Sequence, residues 1–324
     1  MKSLLLPPLS ALYGAVTRTH LALYQRGAFR TVKLERPVIS VGNITAGGTG
    51  KTPLVEWVAK TLAREGKRVC ILTRGYGRRN PRAQVVVSDG QTILATPSEA
   101  GDEPFLLANN LLGSAAVICN ADRVSAGRYA IETFGSECFV LDDGFQHFRL
   151  ARDLNIVTID ATNPWGGGRL LPYGRLREPI SGLSRADCIV LTRCDQATDI
   201  PPICELRPVF ESTMEVVRPP QIEGPVGSFC AVGNPESFFE QVRKHGYELV
   251  FEKAFTDHHW YTQHDINNLI KAVNETGAKS LITTAKDAVK LHSLSFSLPL
   301  HVLEVEIAIK NEAALVELIR TAVA

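Results

Sequence analysis

The octapeptide Thr45-Ala46-Gly47-Gly48-Thr49-Gly50-Lys51-Thr52 follows an apolar run at 38–41 and precedes Leu54, Val55, Trp57, Val58 and Leu62, which keep helical spacing up to Gly66. Strand, glycine-rich turn and helix in that order build a phosphate-binding loop. The turn's backbone N–H groups and the positive end of the helix surround an anion. The octapeptide matches G-x-x-x-x-G-K-[ST] except that Thr45 takes the first glycine position, a change of little cost unless that position needs φ > 0. On this reading Thr45, Ala46, Gly47, Gly48, Thr49, Gly50, Lys51 and Thr52 hold a nucleotide. Lys51 reaches its β- and γ-phosphates and the Thr52 hydroxyl binds Mg²⁺. A chance Gly-Lys-Thr at a strand–helix turn is the rival reading, and the flanking pattern weighs against it.

Outward from the loop, short β-rich runs at 38–41, 68–73, 84–88, 115–119, 138–142, 154–159 and 188–192 alternate with helical patterns such as 122–134. Alternation of this kind predicts an α/β fold, a doubly wound and mainly parallel P-loop NTPase-like sheet. Gly166-Gly167-Gly168 and the Pro/Gly/Arg-rich 172–182 form a long loop, which a compact domain keeps for a purpose. Prolines gather at 201–225, where the interdomain connection is placed. Beyond it, strands at 226–232, 247–251 and 280–283 and helices at 235–245, 263–276 and 311–322 make a second, smaller α/β unit. The divisions are 1–36, a basic amphipathic segment; 37–218, the P-loop core; and 219–324, the smaller unit.

A metal-binding carboxylate is expected at the end of a neighbouring strand, and Phe139-Val140-Leu141-Asp142-Asp143-Gly144 offers two. If the strand stays extended through both, Asp142 and Asp143 face opposite sides and have different tasks; a surface Asp-Asp turn is the plainer alternative. Transfer of a phosphoryl group to an alcohol also needs a carboxylate or His at the attacking oxygen. Gly101-Asp102-Glu103-Pro104 and Asp257-His258-His259 are candidates. Asp102 serves equally well as a helix cap, and the two histidines as surface residues. Arg177-Glu178 reads equally as an exposed ion pair. Thr192-Arg193-Cys194-Asp195 weakly resembles a base-reading T-K-x-D segment, with a strand-end turn the stronger reading.

Composition sets outer limits. The 324 residues are 45% hydrophobic and 21% charged, which excludes general disorder, collagen and coiled coil. The formal charge of +1 gives no global field for nucleic acid. That total conceals Lys2, Arg18, Arg26, Arg30, Lys33 and Arg36 against Glu35 alone, a net of +5 in residues 1–36 that leaves −4 for the rest. Leu9, Leu12, Tyr13 and Val16 lie on one helical face among those charges. The stretch is too short and proline-broken to span a bilayer, but suits a helix lying in an anionic interface. A helix docked on the protein's own core fits the pattern as well, and a cleaved signal peptide fits it poorly. Seven cysteines without a C-x-x-C pair, several inside apolar runs, indicate free thiols in a reducing compartment and no zinc site.

Taken together, the motifs resemble the tetraacyldisaccharide 4′-kinase family, the lipid A 4′-kinases of Gram-negative bacteria. The likeness runs through Gly42-Asn43 with Thr45–Pro53, Thr73-Arg74-Gly75-Tyr76-Gly77, Gly101–Pro104, Asp122-Arg123, Leu141–His147, Arg152-Asp153-Leu154, Leu176–Pro179, Asp257-His258-His259 and Thr283–Leu291. The resemblance implies a kinase that uses ATP and Mg²⁺ to phosphorylate the 4′-hydroxyl of a tetraacyldisaccharide 1-phosphate, giving lipid IVA. Such an enzyme works as a peripheral monomer at the cytoplasmic face of the inner membrane and binds no nucleic acid. It also implies Asp102 as base with His258 as its partner, Lys51, Asp142 and Asp143 in catalysis, and Thr52, Asp142, Asp143 and Glu178 as metal ligands. Arg74, Tyr76 and Arg123 are then substrate-binding. Pro172-Tyr173-Gly174-Arg175 departs from the family's usual Pro-Ala-Gly-Pro, and Ala285 replaces a frequent Glu. Two rivals to a lipid kinase are a P-loop GTPase or ATPase acting as a switch or metallochaperone, and a non-enzymatic membrane adaptor.

Overall fold

The computed structural model describes residues 2–198 and 207–324; Pro201, Pro202 and Cys204 of the proline-rich stretch lie outside the described residues. The chain begins with α1 (Lys2–Gln25), then runs β1 (Val38–Asn43), α2 (Lys51–Arg64), β2 (Val69–Thr73), β3 (Val85–Ser88), α3 (Pro97–Ala100), α4 (Asp102–Asn110), β4 (Ala115–Cys119) and α5 (Arg123–Phe134). It continues through β5 (Cys138–Asp142), β6 (Leu154–Asp160), β7 (Cys188–Thr192), β8 (Val209–Val217), β9 (Val226–Cys230), α6 (Pro235–Lys244) and β10 (Leu249–Ala254). The last elements are α7 (Gln263–Asn274), β11 (Ser280–Thr284), α8 (Ala285–Ala288), β12 (Leu300–Ile309) and α9 (Glu312–Val323).

These strands form one twelve-stranded sheet, ordered β10-β9-β11-β12-β8-β7-β6-β1-β5-β2-β4-β3. Pairing is parallel except for β3 with β4 and β12 with β8. β1, β2, β4, β5 and β7 are buried at every position. Strands covered on both faces read as unbroken apolar runs, which is why the sequence shows them plainly. β8 and β12 are half exposed and link the parallel halves of the sheet. Pro208, Pro219 and Pro220 flank β8 rather than interrupt it, so the proline-rich stretch contains a nine-residue strand as well as a connection.

Helices cover both faces. Leu54, Val55, Val58 and Leu62 of α2 and Leu107 of α4 share a core with Ile39 and Val140, while Val124, Ala126 and Ala130 of α5 pack on the opposite side. The closing helix α9, expected in the second unit, instead sets Leu315, Ile319 and Val323 into the α2 core. Its apolar residues recur every four positions and find the wider uncovered face there. In the second half Phe238, Phe239 and Val242 of α6 and Ile266, Leu269 and Ile270 of α7 supply separate cores.

From β1 the chain moves across the sheet to β2, and from β5 it crosses back over β1 to β6. The crevice at the carboxyl ends of β1 and β5, where these paths diverge, is where open α/β sheets bind ligands. α1 docks nearby through small residues: Ser10 Oγ donates to the Leu170 carbonyl at 2.8 Å, and Gly14 lies tight against the Leu170 side chain. Leu9, Leu12 and Val16 point outward and are about half exposed, so the apolar face is not the docked one. Among the described residues no helix is long and apolar enough to cross a membrane.

Candidate active site

The Thr45–Thr52 turn, the candidate phosphate loop, is tied down through its carbonyls and hydroxyls. Arg175 donates from Nε to the Ala46 carbonyl (2.9 Å), Arg193 to the Gly48 carbonyl (2.7 Å), and Thr192 Oγ1 to the Thr49 carbonyl (3.1 Å). The Thr49 hydroxyl accepts from Asn43 Nδ2 and shares a hydrogen bond with Thr158. Fixing the carbonyls leaves loop N–H groups available to an anion. Gly47 (φ 110°) and Gly50 (φ 75°) need glycine; Thr45 is not in the left-handed region, so its departure from the motif carries no strain. Thr192–Asp195 is a strand-end turn that braces the loop: Arg193 also pairs with Asp160, and Asp195 with Lys244 on the surface.

Asp142 ends β5, but Asp143 turns out of the strand at φ 52°, so the two are not opposed on an extended chain. Asp142 is buried and accepts from Thr73 Oγ1 at 2.8 Å; burial, with Glu103 and Asp143 close by, pushes its carboxyl up to about 6. For Asp143, burial acts upward too, but the charges of Lys51 and Arg177 overcome it and hold the carboxyl low. Arg177 contacts both its oxygens at 2.7 Å and Lys51 Nζ lies 3.5 Å away. Arg177 and Glu178 are therefore no exposed pair. Buried Glu178 accepts from Gln146 at 2.7 Å and from Arg185 at 2.5 Å.

Asp102 opens α4 without capping it. Its carboxylate accepts the Glu103 N–H and meets His258 Nδ1 at 2.9 and 3.0 Å. His258 arrives from the other half of the sheet with φ 60°, a conformation a β-carbon disfavours and the surrounding contacts must hold. The hydrogen bond to Asp102 raises the His258 pKa, against burial and the Lys286 charge. Burial alone raises Asp102, but His258, Lys286 and Lys290 bring it below the usual carboxylate range. His259 pairs instead with Asp265 at 3.3 Å.

All of this opens on one cleft of roughly 1660 Å³. Lys51, Thr52, Asp142, Asp143, Arg74, Tyr76, Arg123 and His258 line it; Asp102 and Glu178 stand just behind the lining. A profile for the family described as LpxK, tetraacyldisaccharide-1-P 4′-kinase, matches residues 2–324. The chain belongs to the tetraacyldisaccharide-1-P 4′-kinase family. It is 43% identical over 293 residues to the tetraacyldisaccharide 4′-kinase of Geobacter sulfurreducens, covering 87% of this chain and 82% of the relative. With that of Geobacter metallireducens it shares 44% over 300 residues, covering 89% and 88%. Among solved structures it is similar to LpxK from Aquifex aeolicus in complex with ATP, at TM-score 0.82, 32% identity and 100% coverage of both chains.

Within this kinase family frame, several cleft residues carried no assigned role in the sequence. Lys286 bridges the halves of the sheet, with Nζ 2.9 Å from Glu103, 3.3 Å from Asp257 and 3.4 Å from His258 Nε2. Gly233 comes so close to the phosphate loop that a β-carbon there would sit 2.9 Å from the Gly48 nitrogen. Its Val-Gly-Asn setting gives no such signal, whereas Lys286 lay in a motif already quoted. No three His, Cys, Asp or Glu side chains gather as a metal cage among the described residues. Thr52, Asp142 and Asp143 on the cleft fit Mg²⁺ nonetheless, since this ion takes one or two carboxylates, a hydroxyl and substrate phosphates. Cys70, Cys119, Cys138, Cys188, Cys194 and Cys230 are all free thiols.

Proposed function

We propose that this protein is an ATP-dependent kinase that transfers the γ-phosphate to the 4′-hydroxyl of a tetraacyldisaccharide 1-phosphate, yielding the lipid A precursor lipid IVA. Family membership supplies the reaction class, and the meeting of Asp102 with His258 on the same cleft as Lys51, Asp142 and Asp143 is the observation that carries the mechanism.

In this reading the amides of Gly47–Thr52 and the Lys51 ammonium hold the β- and γ-phosphates. Thr52, Asp142 and Asp143 would hold Mg²⁺, which when bound neutralises phosphate charge. Glu178 would be a further ligand, its carboxylate oriented by Gln146 and Arg185. Arg74, Tyr76 and Arg123 face the acceptor; Arg123 is buried, and the exposed Tyr76 ring lies against His258. The 4′-hydroxyl gives its proton to Asp102 as its oxygen bonds to the γ-phosphorus and ADP leaves. His258 orients the carboxylate and shares that proton, which makes a weakly basic aspartate competent. Residues 37–218 together with α9, and the remainder of 219–324, act as two units closing over the nucleotide and excluding water.

The acyl chains of the substrate remain in lipid. α1, with its exposed Leu9, Leu12 and Val16 among basic residues, therefore holds the enzyme as a peripheral monomer on the cytoplasmic face of the inner membrane. Incubation with γ-labelled ATP and a tetraacyldisaccharide 1-phosphate, followed by lipid extraction, tests the function. Label in the lipid phase is expected; release as inorganic phosphate alone would return the protein to the switch ATPases.

A further inference from the structure

Beneath the Asp102–His258 contact lies a charge that this chemistry does not use. Lys290 follows α8, and its side chain has no exposure to solvent. Nζ lies 2.9 Å from Asp287 Oδ1, off the hydrogen-bonding direction, 3.8 Å from Asp102 Oδ2 and 5.3 Å from the centre of the Tyr261 ring. Asp287 is buried and anchored: its Oδ2 accepts from the Ala231 backbone N–H at 2.9 Å and from the Thr284 hydroxyl at 2.8 Å.

An ammonium wholly out of water is costly and persists only where carboxylates answer it. Apolar side chains of similar volume are often as stable as such a pair, so stability alone does not account for this one. Lys286 and Lys290 are four residues apart and both face Asp102, yet their situations differ. Lys286 lines the cleft and is engaged by Glu103 and Asp257. Lys290 lies on the inner side, with Asp287 and Tyr261 behind it.

We propose that Lys290 is a positioning residue for the acceptor base, its buried ammonium fixing the orientation and charge of Asp102 from below while His258 holds it from the cleft. The proposal rests on reading Asp102 as that base. The groups facing Asp102 are His258, Lys286 and Lys290, with Glu103 adjacent and Asp257 beyond Lys286. The His258 hydrogen bond first, and then the charges of Lys286, His258 and Lys290, hold its carboxyl low against burial. Removing one cation favours the protonated forms of both Asp102 and His258, so the pair takes up its proton at higher pH.

The test uses the full chain and the lipid kinase assay from pH 5 to 9. Lys290→Gln removes the cation alone and carries the pH readout, whereas Lys290→Met combined with Asp287→Asn removes both charges and reads the loss of kcat in a fold that strands no carboxylate. The expected result is a loss of tenfold or more in kcat with KM for ATP little changed. In Lys290→Gln the acid limb of the kcat profile moves up by about 1 pH unit. In an Asp102→Asn background the same change costs no further activity, because the two residues act as one. A folded Lys290→Gln with an unmoved acid limb, or either variant with a loss undiminished in the Asp102→Asn background, overturns the proposal. Wild-type kcat in Asp102→Asn alone is a separate result, which removes the base assignment itself.

Discussion

Asp102 and His258 are separated by 156 residues of chain and by 2.9 Å in the fold. One opens a helix of the P-loop half, the other sits in a strained turn of the second half, and neither is placed by its own sequence neighbours. Alanine at either position is expected to lower kcat by about 10²–10⁴-fold, the usual worth of a positioned acid–base group. ATP affinity should hardly change, since neither touches the phosphate loop. Equal turnover in wild type and both variants, measured under saturating ATP, would end the assignment.

Glu56 gives a pH prediction for stability. It lies on α2, accepts from Asn110 Nδ2 at 2.9 Å, and burial pushes its carboxyl up to about 7. A carboxyl raised in the folded state costs nothing below its unfolded value near 4.3. Its cost grows as pH rises towards 7 and is complete above. Glu56→Gln keeps the acceptor for Asn110 and removes that cost. Thermal melts should show the variant more stable at pH 8, by up to about 3 kcal/mol, and no different at pH 4.5. The opposite ordering would contradict the assignment of the buried acid.

Gly233 gives a nucleotide prediction. A β-carbon there would stand 2.9 Å from the Gly48 nitrogen and 3.4 Å from Asp257 Oδ2, against an amide read as a phosphate donor. Gly233→Ala should therefore weaken ATP binding by roughly tenfold, about 1.4 kcal/mol. The melting temperature without nucleotide should fall as well, because the β-carbon meets backbone of the protein itself and one of the two segments must shift. Calorimetric titration with ATP measures the first and a thermal scan the second.

α1 gives a membrane prediction. Leu9, Leu12 and Val16 replaced together by Glu should lower partitioning onto anionic vesicles by about tenfold or more. Activity on vesicle-borne substrate should fall further than activity on detergent-dispersed substrate. Binding of the unaltered protein should weaken as salt rises, as headgroup attraction is screened. Indifference of vesicle binding to both changes would place the contact elsewhere.

The parallel strands were legible in the sequence because burial on both faces leaves an unbroken apolar run, as in Cys138–Asp142 and Cys188–Thr192. β8 and β12 were not, since exposure on one face thins the apolar signal and Pro208, Pro219 and Pro220 suggest a linker. The strand, glycine-rich turn and helix around Thr45–Thr52 are a local device, and β1 and α2 stand where the pattern puts them. Asp102 and His258 had equally good readings as a cap and a surface residue, and only the family resemblance joined them. Periodicity and spacing say nothing about side chains brought together by two crossing halves of a sheet. For the same reason Lys286, Lys290 and Gly233 went unassigned, their tasks being set by neighbours more than 100 residues away.

The seat of α9 has a consequence for the order of assembly. Leu315, Ile319 and Val323 complete the core that Ile39 and Leu54 begin. A nascent chain reaches those residues only after the whole second unit has been made, so the nucleotide-binding half leaves the ribosome with a hydrophobic face still open. Its folding on the ribosome is then a waiting state, relieved when α9 emerges, and the two halves are expected to gain their stability together rather than in turn.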